Sequence, residues 1–329
     1  MGIANAISRI IVSKDGVNDL RRARYEAYYL TLNHRASRSG FWIRYTQDRR
    51  GPKATPSEAA LWFHWFRPEA PTESVGFKQS FPLEALAEGP DAHIRIGQAY
   101  LSDRRAIGEA HAPGHRASWD LRFEPATRAI WFAPEPFRLL RLKTPAVVSN
   151  ADIRYSGSIR VDGAQLTLAD DPGCQQHNWG RRRSHALWGH CNAFDGDVPC
   201  HLETAAAYLG SRLKGSVFIR YRGQDYLNNA LHTVLLTQVQ IDFPAFSFVC
   251  GSRGTEFHGT FEAPVEALRQ VTYEDFDGGK SYCANTEIGN LTLEVRQGGK
   301  VIEILKATNT AHFEFLKRSP WQGVAVSVP

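Results

Sequence analysis

The sequence predicts an all-β protein. Apolar and aromatic residues recur in short segments bounded by Gly, Pro and Asp, which is typical of β-strands joined by tight turns. The 8 Trp, 11 Tyr and 18 Phe fit sheets built around an aromatic-lined interior. No convincing long helix is predicted, and short strands at this spacing favour a β-barrel or a β-sandwich.

The first half of the chain contains the clearest strand patterns. Strands are expected at 25–33 (YEAYYLTLN), 40–46 and 59–67, with a loop before the third because that segment is rich in Pro, Gly and charge. One small helix is expected within residues 1–24, and one short turn at 82–87. Further strands are expected at 74–79, 93–100, 117–123, 129–132, 153–161 and 164–168.

The second half continues the β pattern. Strands are expected at 233–241, 245–251, 255–262, 268–273, 290–296, 300–307 and 311–316. A chain of 329 residues is long enough to bury two cores. We therefore expect two domains, 1–225 and 226–329, with the boundary in the polar segment 222–229.

The charge pattern argues against nucleic-acid binding. The formal net charge is +5 and the pI is about 9.0, but the basic runs at 21–24, 49–50 and 181–183 are short. No zinc-finger, RRM or KH signature is present, so no nucleic-acid partner is expected. A Rossmann GxGxxG or Walker motif is also absent, and no cofactor is expected.

The cysteines and the hydropathy bear on the compartment. Five cysteines, odd in number and widely spaced, favour a reducing environment over a disulfide framework. No apolar run is long enough to span a bilayer, and the segment 3–12 lacks the features of a signal peptide. We therefore expect a cytoplasmic protein, and the oligomeric state stays open.

Residues 171–208 carry the densest set of chemically active side chains. The set comprises His177, Trp179, His185, Trp188, His190, His201 and Glu203. Asp195-Gly196 predicts a two-residue hairpin turn, which pairs His190 with His201 and Trp188 with Glu203. Since paired residues share a face of the sheet, one face then carries Trp188, His190, Asn192, His201 and Glu203. A four-residue turn keeps this set together, whereas a three-residue turn moves Glu203 to the other face.

This set suggests acid catalysis. A carboxylic acid surrounded by indoles is desolvated, which raises its pKa and keeps it protonated near neutral pH. Such an acid can protonate an alkene or a carbonyl, and aromatic faces stabilise the cation that develops. His177, His190 and His201 can donate hydrogen bonds or relay protons. The alternative is structural: cross-strand aromatic residues and hydrogen-bonded histidines inside a β core.

Two further hypotheses are that residues of this segment bind a metal ion and that its arginine triplet forms a lid. Cys174-x-x-His177, His190-Cys191 and Cys200-His201 supply metal-ligand types. Neighbours on a strand point to opposite faces, so each adjacent pair offers one ligand, and no second CxxC or HxxxH completes the set. We therefore expect no metal. The arginine triplet 181–183 predicts a solvated loop, with a lid that pairs with an anionic ligand as the functional alternative.

The segment Gln175-Gln176-His177-Asn178-Trp179-Gly180, followed by Trp188 and a hairpin, resembles the motif of carotenoid 1,2-hydratase (hydroxyneurosporene synthase) and AttH-like lipocalin-type proteins. The segment Tyr25-Glu26-Ala27-Tyr28-Tyr29 resembles the first-strand motif of tocopherol cyclase. Fungal Diels–Alderases of decalin biosynthesis share this architecture. The resemblance implies two consecutive lipocalin-like (calycin) antiparallel β-barrels, with a ligand pocket in or between them.

The resemblance also implies site residues. In the hydratases a His-x-Trp pair and a downstream aromatic-x-acid pair protonate an isolated double bond and add water. His177 and Trp179 match the first pair, and His201-x-Glu203 matches the second only loosely, with His for the aromatic residue and Glu for Asp. This departure puts carotenoid hydration itself in doubt. Glu26, in the first-strand motif, is the second candidate acid.

These observations favour a cofactor-independent hydratase, cyclase or isomerase that acts on a hydrophobic, isoprenoid-like or polyketide-like substrate of secondary metabolism. Glu203 is the expected acid and His177 its partner. The expected substrate-binding residues are Trp179, Trp188, His190, Asn192, His201 and Tyr28. The alternatives are a non-catalytic lipid or small-molecule binder and a Diels–Alderase-type pericyclase, and a peripheral membrane contact would serve substrate uptake.

Overall fold

The computed structural model describes residues 25–51, 55–87, 92–126, 129–134, 146–180, 183, 186–276 and 278–329. This part of the chain is almost entirely β and forms two large sheets that follow one another along the sequence. The all-β prediction and the expectation of two consecutive lipocalin-like barrels are confirmed. The small helix expected within 1–24 lies outside the described residues.

The first sheet contains strands β1 to β11. Their bounds are Tyr25–Asn33 (β1), Gly40–Asp48 (β2), Glu58–Phe66 (β3), Val75–Phe81 (β4), Ile94–Ile96 (β5), Ala99–Leu101 (β6), Arg105–Ala112 (β7), His115–Arg122 (β8), Ile130–Trp131 (β9), Ala146–Val161 (β10) and Ala164–Gly180 (β11). The strand order is β4-β3-β2-β1-β11-β10-β8-β7-β6-β5, and β9 pairs with β10. Because β1 pairs with β11, Tyr28 lies opposite His177.

The second sheet contains strands β12 to β22. Their bounds are Leu187–Cys191 (β12), Cys200–Leu209 (β13), Arg212–Tyr221 (β14), Gln224–Asn228 (β15), Gln238–Asp242 (β16), Ala245–Ser252 (β17), Thr255–Glu262 (β18), Arg269–Glu274 (β19), Lys280–Gln297 (β20), Lys300–Lys317 (β21) and Ala325–Val328 (β22). The strand order is β15-β14-β13-β12-β21-β20-β18-β17-β16, and β19 pairs with both β20 and β22.

The helical elements are short. The α-helix α1 spans Leu231–Leu236, and 3-10 turns lie at Pro71–Glu73, Leu83–Ala85 and Val265–Ala267. The strand expected at 233–241 is therefore wrong over its first four residues. The hydroxyl of Thr233 donates to the Ala230 carbonyl and that of Thr237 to the Thr233 carbonyl, at 2.8 and 2.9 Å. These local bonds close a helical turn despite the β-branched sequence. No helix in the described residues has the length and apolar character needed to cross a bilayer.

Other differences concern strand length. The expected strands 300–307 and 311–316 form one strand, β21, whose pairing with β20 shifts register around Gly289. Asn309, with a φ of 57°, lies at this irregularity. An irregularity of this kind separates the two strands that the sequence predicts here. Strand β7 was missed because its sequence, RAIGEAHA, is rich in residues that are depleted from strands.

Strands β1 to β3 are buried on both faces. Leu30 and Leu32 on β1 belong to the core of the first barrel, whereas Tyr29 packs with residues of the second. On β2, Phe41 and Ile43 face the first core and Trp42 faces the second. Two-sided burial explains why these strands read as nearly continuous apolar runs instead of alternating ones.

The chain passes from one sheet to the other between Gly180 and Leu187. The sequence-based domain boundary, between residues 225 and 226, falls inside β15 of the second sheet. Arg222 and Gly223, at the start of the segment in which the boundary was expected, form the turn of the hairpin of β14 and β15. Turn residues mark a reversal of the chain, and they do so equally within a sheet and between domains.

The close approach of the two barrels at Gly40 generates a prediction. A Cβ atom on Gly40 would lie 2.4 Å from the Glu287 carbonyl oxygen, across the interface. We expect Gly40→Ala to lower the free energy of unfolding by about 2 kcal/mol, because the barrels must move apart. Urea unfolding of the purified protein measures this. Gly251→Ala is the matched control, since its Cβ would meet only the Thr255 oxygen at 3.8 Å. An equal effect of both substitutions would contradict the close-packing argument.

Candidate functional site

A polar cluster lies between the two barrels. One face of β1 lines the first barrel, and its opposite face packs against β12, β20 and β21. Across this boundary His312 Nδ1 lies 2.8 Å from Thr31 Oγ1, and the Asn192 amide donates to the Gly173 carbonyl at 3.0 Å. The cluster is therefore part of the interface, outside the cores of both barrels.

Glu203 is the centre of this cluster. Its side chain is 0 % exposed. Oε1 accepts from His190 Nδ1 at 2.7 Å and from His201 Nε2 at 3.3 Å. Oε2 accepts from the indole Nε1 of Trp188 at 3.2 Å. Three of the expected substrate-binding side chains thus converge on the carboxylate that was expected to be the acid.

The geometry around His190 indicates an imidazolium. Asn192 Nδ2 donates to Asp152 Oδ1 and to the Gly173 carbonyl, so its Oδ1 must face His190 Nε2, 3.2 Å away. With Glu203 at Nδ1, both ring nitrogens face acceptors. Burial by itself would lower the pKa of His190, but Cys174 and Glu203 raise it well above its ordinary value.

The expectation that Glu203 is held protonated is wrong. Burial does raise the pKa of its carboxyl group, but the charge and hydrogen bond of His190, followed by those of His201, bring the pKa below the ordinary value of 4.5. The indoles expected to desolvate Glu203 are represented by Trp188 alone, which also donates a hydrogen bond to it. Glu203 is therefore an ionised carboxylate paired with an imidazolium.

The predicted hairpin register is also wrong, by two residues. His190 pairs with Glu203, and Trp188 pairs with Ala205. Residues 192–199 form the connection because Asp195 does not serve a two-residue turn: its backbone N–H donates to the Lys306 carbonyl and its carboxylate accepts from Thr308 Oγ1, at 2.7 and 2.6 Å. A shift of two residues leaves every side chain on its original face. The side chains predicted to share one face of the sheet therefore still do so, although the predicted two-residue turn is wrong.

The two motifs that carry the family resemblance meet inside the first barrel. His177 Nε2 and the Tyr28 hydroxyl both donate to Glu26 Oε1, at 3.0 and 2.8 Å. The Tyr28 and His177 rings stack at 4.0 Å, and Trp179 stacks on the other side of His177 at 4.5 Å. The expected pairing of His177 with Glu203 is thus wrong, because the two residues lie on opposite faces of the β1–β11 layer. The carboxylate partner of His177 is Glu26.

This motif cluster has its own electrostatics. Burial raises the pKa of Glu26, but the hydrogen bond and charge of His177 outweigh it and the pKa falls below its ordinary value. Burial lowers the pKa of His177 by more than Glu26 raises it. Within the described residues, His177 Nδ1 and Trp179 Nε1 are buried without a hydrogen-bond partner.

Two cavities flank the polar cluster. The large cavity, about 830 Å³, is lined by His201, Asp152 and Phe218 together with several arginines. The small cavity, about 300 Å³, is mostly apolar and is lined by Trp131 and Trp188 among others. Between them lies an apolar cluster: Ile130, Val148, Ala151, Cys174, Trp188 and Phe218. Glu203 thus contacts one wall residue of each cavity, His201 and Trp188.

Arg183 is neither a solvated residue nor part of an open lid. Its guanidinium is buried, lies 3.0 Å from Asp48 Oδ1 and stacks 4.4 Å from the ring centroids of both Tyr25 and Tyr273. It therefore links the start of the first sheet to β19 of the second. Arg181 and Arg182 lie outside the described residues.

The metal-ligand types of the sequence are only partly gathered. In the described part of the chain, the residues that could hold a metal ion are Cys174, His190 and Glu203. One ligand atom of each lies within 4.8 Å of those of the other two. His177 faces the other side of its strand. Cys191 lies in the core of the second barrel, where burial raises the pKa of its thiol to about 12.

Sequence reasoning missed a second polar group beside Glu203. His312 Nδ1 lies 3.0 Å from Glu287 Oε2, and His312 Nε2 lies 2.7 Å from Asn33 Oδ1. Burial, with Cys174 and Glu314 nearby, raises the pKa of Glu287 well above its ordinary value, and burial lowers that of His312. These residues come from β1, β20 and β21. Their only local signal is a polar residue at an inward position of a strand, such as His312 in AHFEF.

The fold and the site define a two-barrel lipocalin-like protein with a polar centre between its barrels. A comparison with protein-family models finds no match. Two relatives are 25% identical to this chain in an alignment over 299 residues, which covers 88% of this chain and 85% of each relative. They are uncharacterized proteins from the Mycobacterium tuberculosis strains CDC 1551 / Oshkosh and ATCC 25618 / H37Rv.

Solved structures share the fold at low sequence identity. Kievitone hydratase from Nectria haematococca superimposes with a TM-score of 0.57, 9% identity and coverage of 98% of this chain and 93% of that one. A Nitrosomonas europaea protein assigned as AttH superimposes with a TM-score of 0.55 and 12% identity, covering 93% of this chain and 95% of that one. CghA with Sch210972 superimposes with a TM-score of 0.52 and 9% identity, covering 90% of this chain and 88% of that one. The two-barrel fold that the resemblance implies is confirmed.

The ion pair at the centre predicts a pH-dependent stability. The raised pKa of His190 adds stability that is complete below its ordinary value of 6.5 and is lost as the pH rises through the folded-state pKa. The lowered pKa of Glu203 adds stability that is complete above 4.5 and is lost as the pH falls. The pair therefore stabilises most between these two values. We expect His190→Gln to cost about 3 kcal/mol at about pH 6 and clearly less at about pH 9 in urea unfolding. A cost independent of pH would contradict the charged pair.

Proposed function

We propose that this chain is an enzyme that transfers a proton to a hydrophobic substrate bound between its barrels, and thereby catalyses hydration, isomerisation or cyclisation. The observation that carries the proposal is the buried Glu203 carboxylate, which holds His201 at the wall of the large cavity. Kievitone hydratase, by its name a hydratase, shares the fold and supports water addition as the reaction class.

His201 is the proposed proton donor. It contacts the large cavity and lies between two carboxylates, Glu203 by hydrogen bond and Asp152 by charge. The hydrogen bond to Glu203 orients the ring at the cavity wall, where it can reach a bound substrate. Glu203 is fully buried, so its proposed role is to position His201 by the hydrogen bond between them. The sequence-based proposal that Glu203 is itself the acid is revised.

The strength of this acid limits the substrate. Imidazolium is a weak acid compared with what an isolated alkene requires, but it is well matched to carbonyl and enol oxygens near neutral pH. We therefore propose a substrate whose double bond is conjugated to a carbonyl group. Protonation at the carbonyl oxygen would make the conjugated carbon electrophilic toward water or an internal nucleophile.

The large cavity supports an amphiphilic substrate. Part of its wall is apolar, with Phe123, Ile130 and Phe218. Elsewhere the lining is charged and contains the arginines 104, 105, 122, 154 and 220, all of which except Arg122 are paired with carboxylates. A terpenoid-like or polyketide-like body would pack on the aromatic wall, and carbonyl or carboxylate oxygens would accept from the guanidinium groups.

A non-catalytic binding protein is the second candidate. The observation that favours it is the lack of exposure of Glu203, since the carboxylate itself touches neither cavity. In that case the polar cluster serves only to join the barrels. A pericyclase would likewise need shape more than acid, and loss of His201 would then affect the rate only mildly.

Deuterium incorporation tests the proposal without knowledge of the physiological substrate. Carbonyl-conjugated isoprenoid and polyketide-like compounds are incubated with the protein in D₂O, and the carbon-bound deuterium is measured by mass spectrometry. We expect His201→Asn to slow incorporation by about 100-fold or more, as for loss of a general acid. Glu203→Gln should lower the rate by less than His201→Asn does, because His201 stays in place but loses the carboxylate that orients it.

The chain offers a matched control for this experiment. Glu256 and His258 form a similar i, i+2 pair on β18, with Nε2 and Oε1 2.5 Å apart, outside both cavities. His258→Gln should leave the rate unchanged. Undiminished incorporation in His201→Asn would contradict the assignment of the proton donor. A copurifying ligand that is returned unchanged would favour the binding protein.

A further inference from the structure

Exposed apolar side chains gather at the opening of the small cavity. They are Tyr208, Leu209, Leu231, Leu235 and Leu236, and we call this set the docking surface. Tyr208 is 63 % exposed and Leu236 is 76 % exposed, values that are unusual for such large side chains. Single exposed apolar residues need no explanation, but a contiguous group marks an interaction site.

Two elements present this surface side by side. The hairpin of β13 and β14 turns at Gly210, which adopts a φ of +64°, and Leu209 stands at its tip opposite Arg212. Helix α1 lies beside the hairpin, and Lys214 on β14 donates to the Leu235 carbonyl at 2.6 Å. Four of the five side chains of the docking surface also line the small cavity, Leu236 being the exception. The surface and the opening of the cavity are therefore continuous.

The charges around this surface are basic. Arg212 is exposed at the hairpin tip, and Lys214 is half-buried behind it. The segments 205–224 and 226–241 contain no Asp or Glu. The one acidic residue that lines the small cavity, Glu314, is buried. Exposed aromatic and aliphatic side chains flanked by cationic ones are the combination that binds anionic lipid surfaces.

We propose that the docking surface binds an anionic lipid membrane. The apolar side chains of the hairpin tip and of α1 enter the interfacial region, and Arg212 and Lys214 face lipid phosphates. The small cavity then opens toward the membrane, in which hydrophobic substrates dissolve. Delivery of a substrate through this opening rests on the proposed function, whereas membrane binding itself does not.

Vesicle sedimentation with the full-length protein tests the proposal. We expect binding to phosphatidylglycerol–phosphatidylcholine vesicles and much weaker binding to phosphatidylcholine alone. The double variant Leu209→Ser/Leu236→Ser should bind the anionic vesicles about tenfold more weakly. Arg212→Gln should bind them about fivefold more weakly and bind neutral vesicles as the wild type does.

Ile302→Ser/Ile304→Ser is the matched control. Both isoleucines are exposed on β21, away from the small cavity, and their replacement should leave vesicle binding unchanged. Three outcomes overturn the proposal: no binding of the wild type to anionic vesicles, equal losses in the control and the Leu209/Leu236 variant, or a wild-type dimer that this variant dissociates. The last outcome would assign the surface to a second copy of the chain. Proton-transfer activity measured on dissolved substrate without vesicles should be unchanged in the Leu209/Leu236 variant, because neither residue lines the large cavity. This measurement keeps the membrane test separate from that of the reaction.

Discussion

The structure depends on the hydrogen bonds that stabilise the buried carboxylate of Glu203. Glu203 lies between two barrels, where an unpaired charge would be prohibitively costly. Two imidazoles and an indole satisfy its oxygens, and Asn192 fixes one of those imidazoles by also bonding to the first barrel. Barrel packing and site geometry are therefore set by the same hydrogen bonds, and a change in one must affect the other.

Two His–Glu pairs lie side by side in this interface with opposite electrostatic characters. In the His190–Glu203 pair both groups are charged. In the His312–Glu287 pair burial raises the pKa of Glu287 well above its ordinary value and lowers that of His312 well below it, so both groups favour their neutral forms. The His190 and His312 rings lie 5.2 Å apart, and the charge on His190 contributes to the lowered pKa of His312. One buried positive charge thus discourages a second nearby.

The third His–Glu pair, His177–Glu26, belongs to the motif that carries the resemblance, and it lies inside the first barrel. The aromatic stack of Tyr28, His177 and Trp179 reaches Trp131, which lines the small cavity. The His177–Glu26 pair is therefore separated from the small cavity by Trp179 and Trp131, whereas Gln176 and Asn178 of the same motif line that cavity directly. The unpartnered ring nitrogens of His177 and Trp179 in the described structure distinguish this pair from the fully bonded His190.

The grouping of Trp188, His190, Asn192, His201 and Glu203 was predictable because alternation along a strand depends only on odd and even spacing. That rule is local, and it tolerates the two-residue error in register. The resemblance of two short motifs to a lipocalin-type family was likewise enough to predict two barrels. Composition and the spacing of turns determined the all-β class.

Tertiary structure decided which faces meet and what charge each group carries. The register of the hairpin follows from bonds between Asp195 and β21, more than a hundred residues later, which no local pattern encodes. His177 is assigned to Glu26 instead of Glu203 because β11 presents opposite faces to the two barrels. The ionised state of Glu203 follows from His190 and His201 at hydrogen-bond distance, since a pKa is set by every neighbouring charge and not by burial alone.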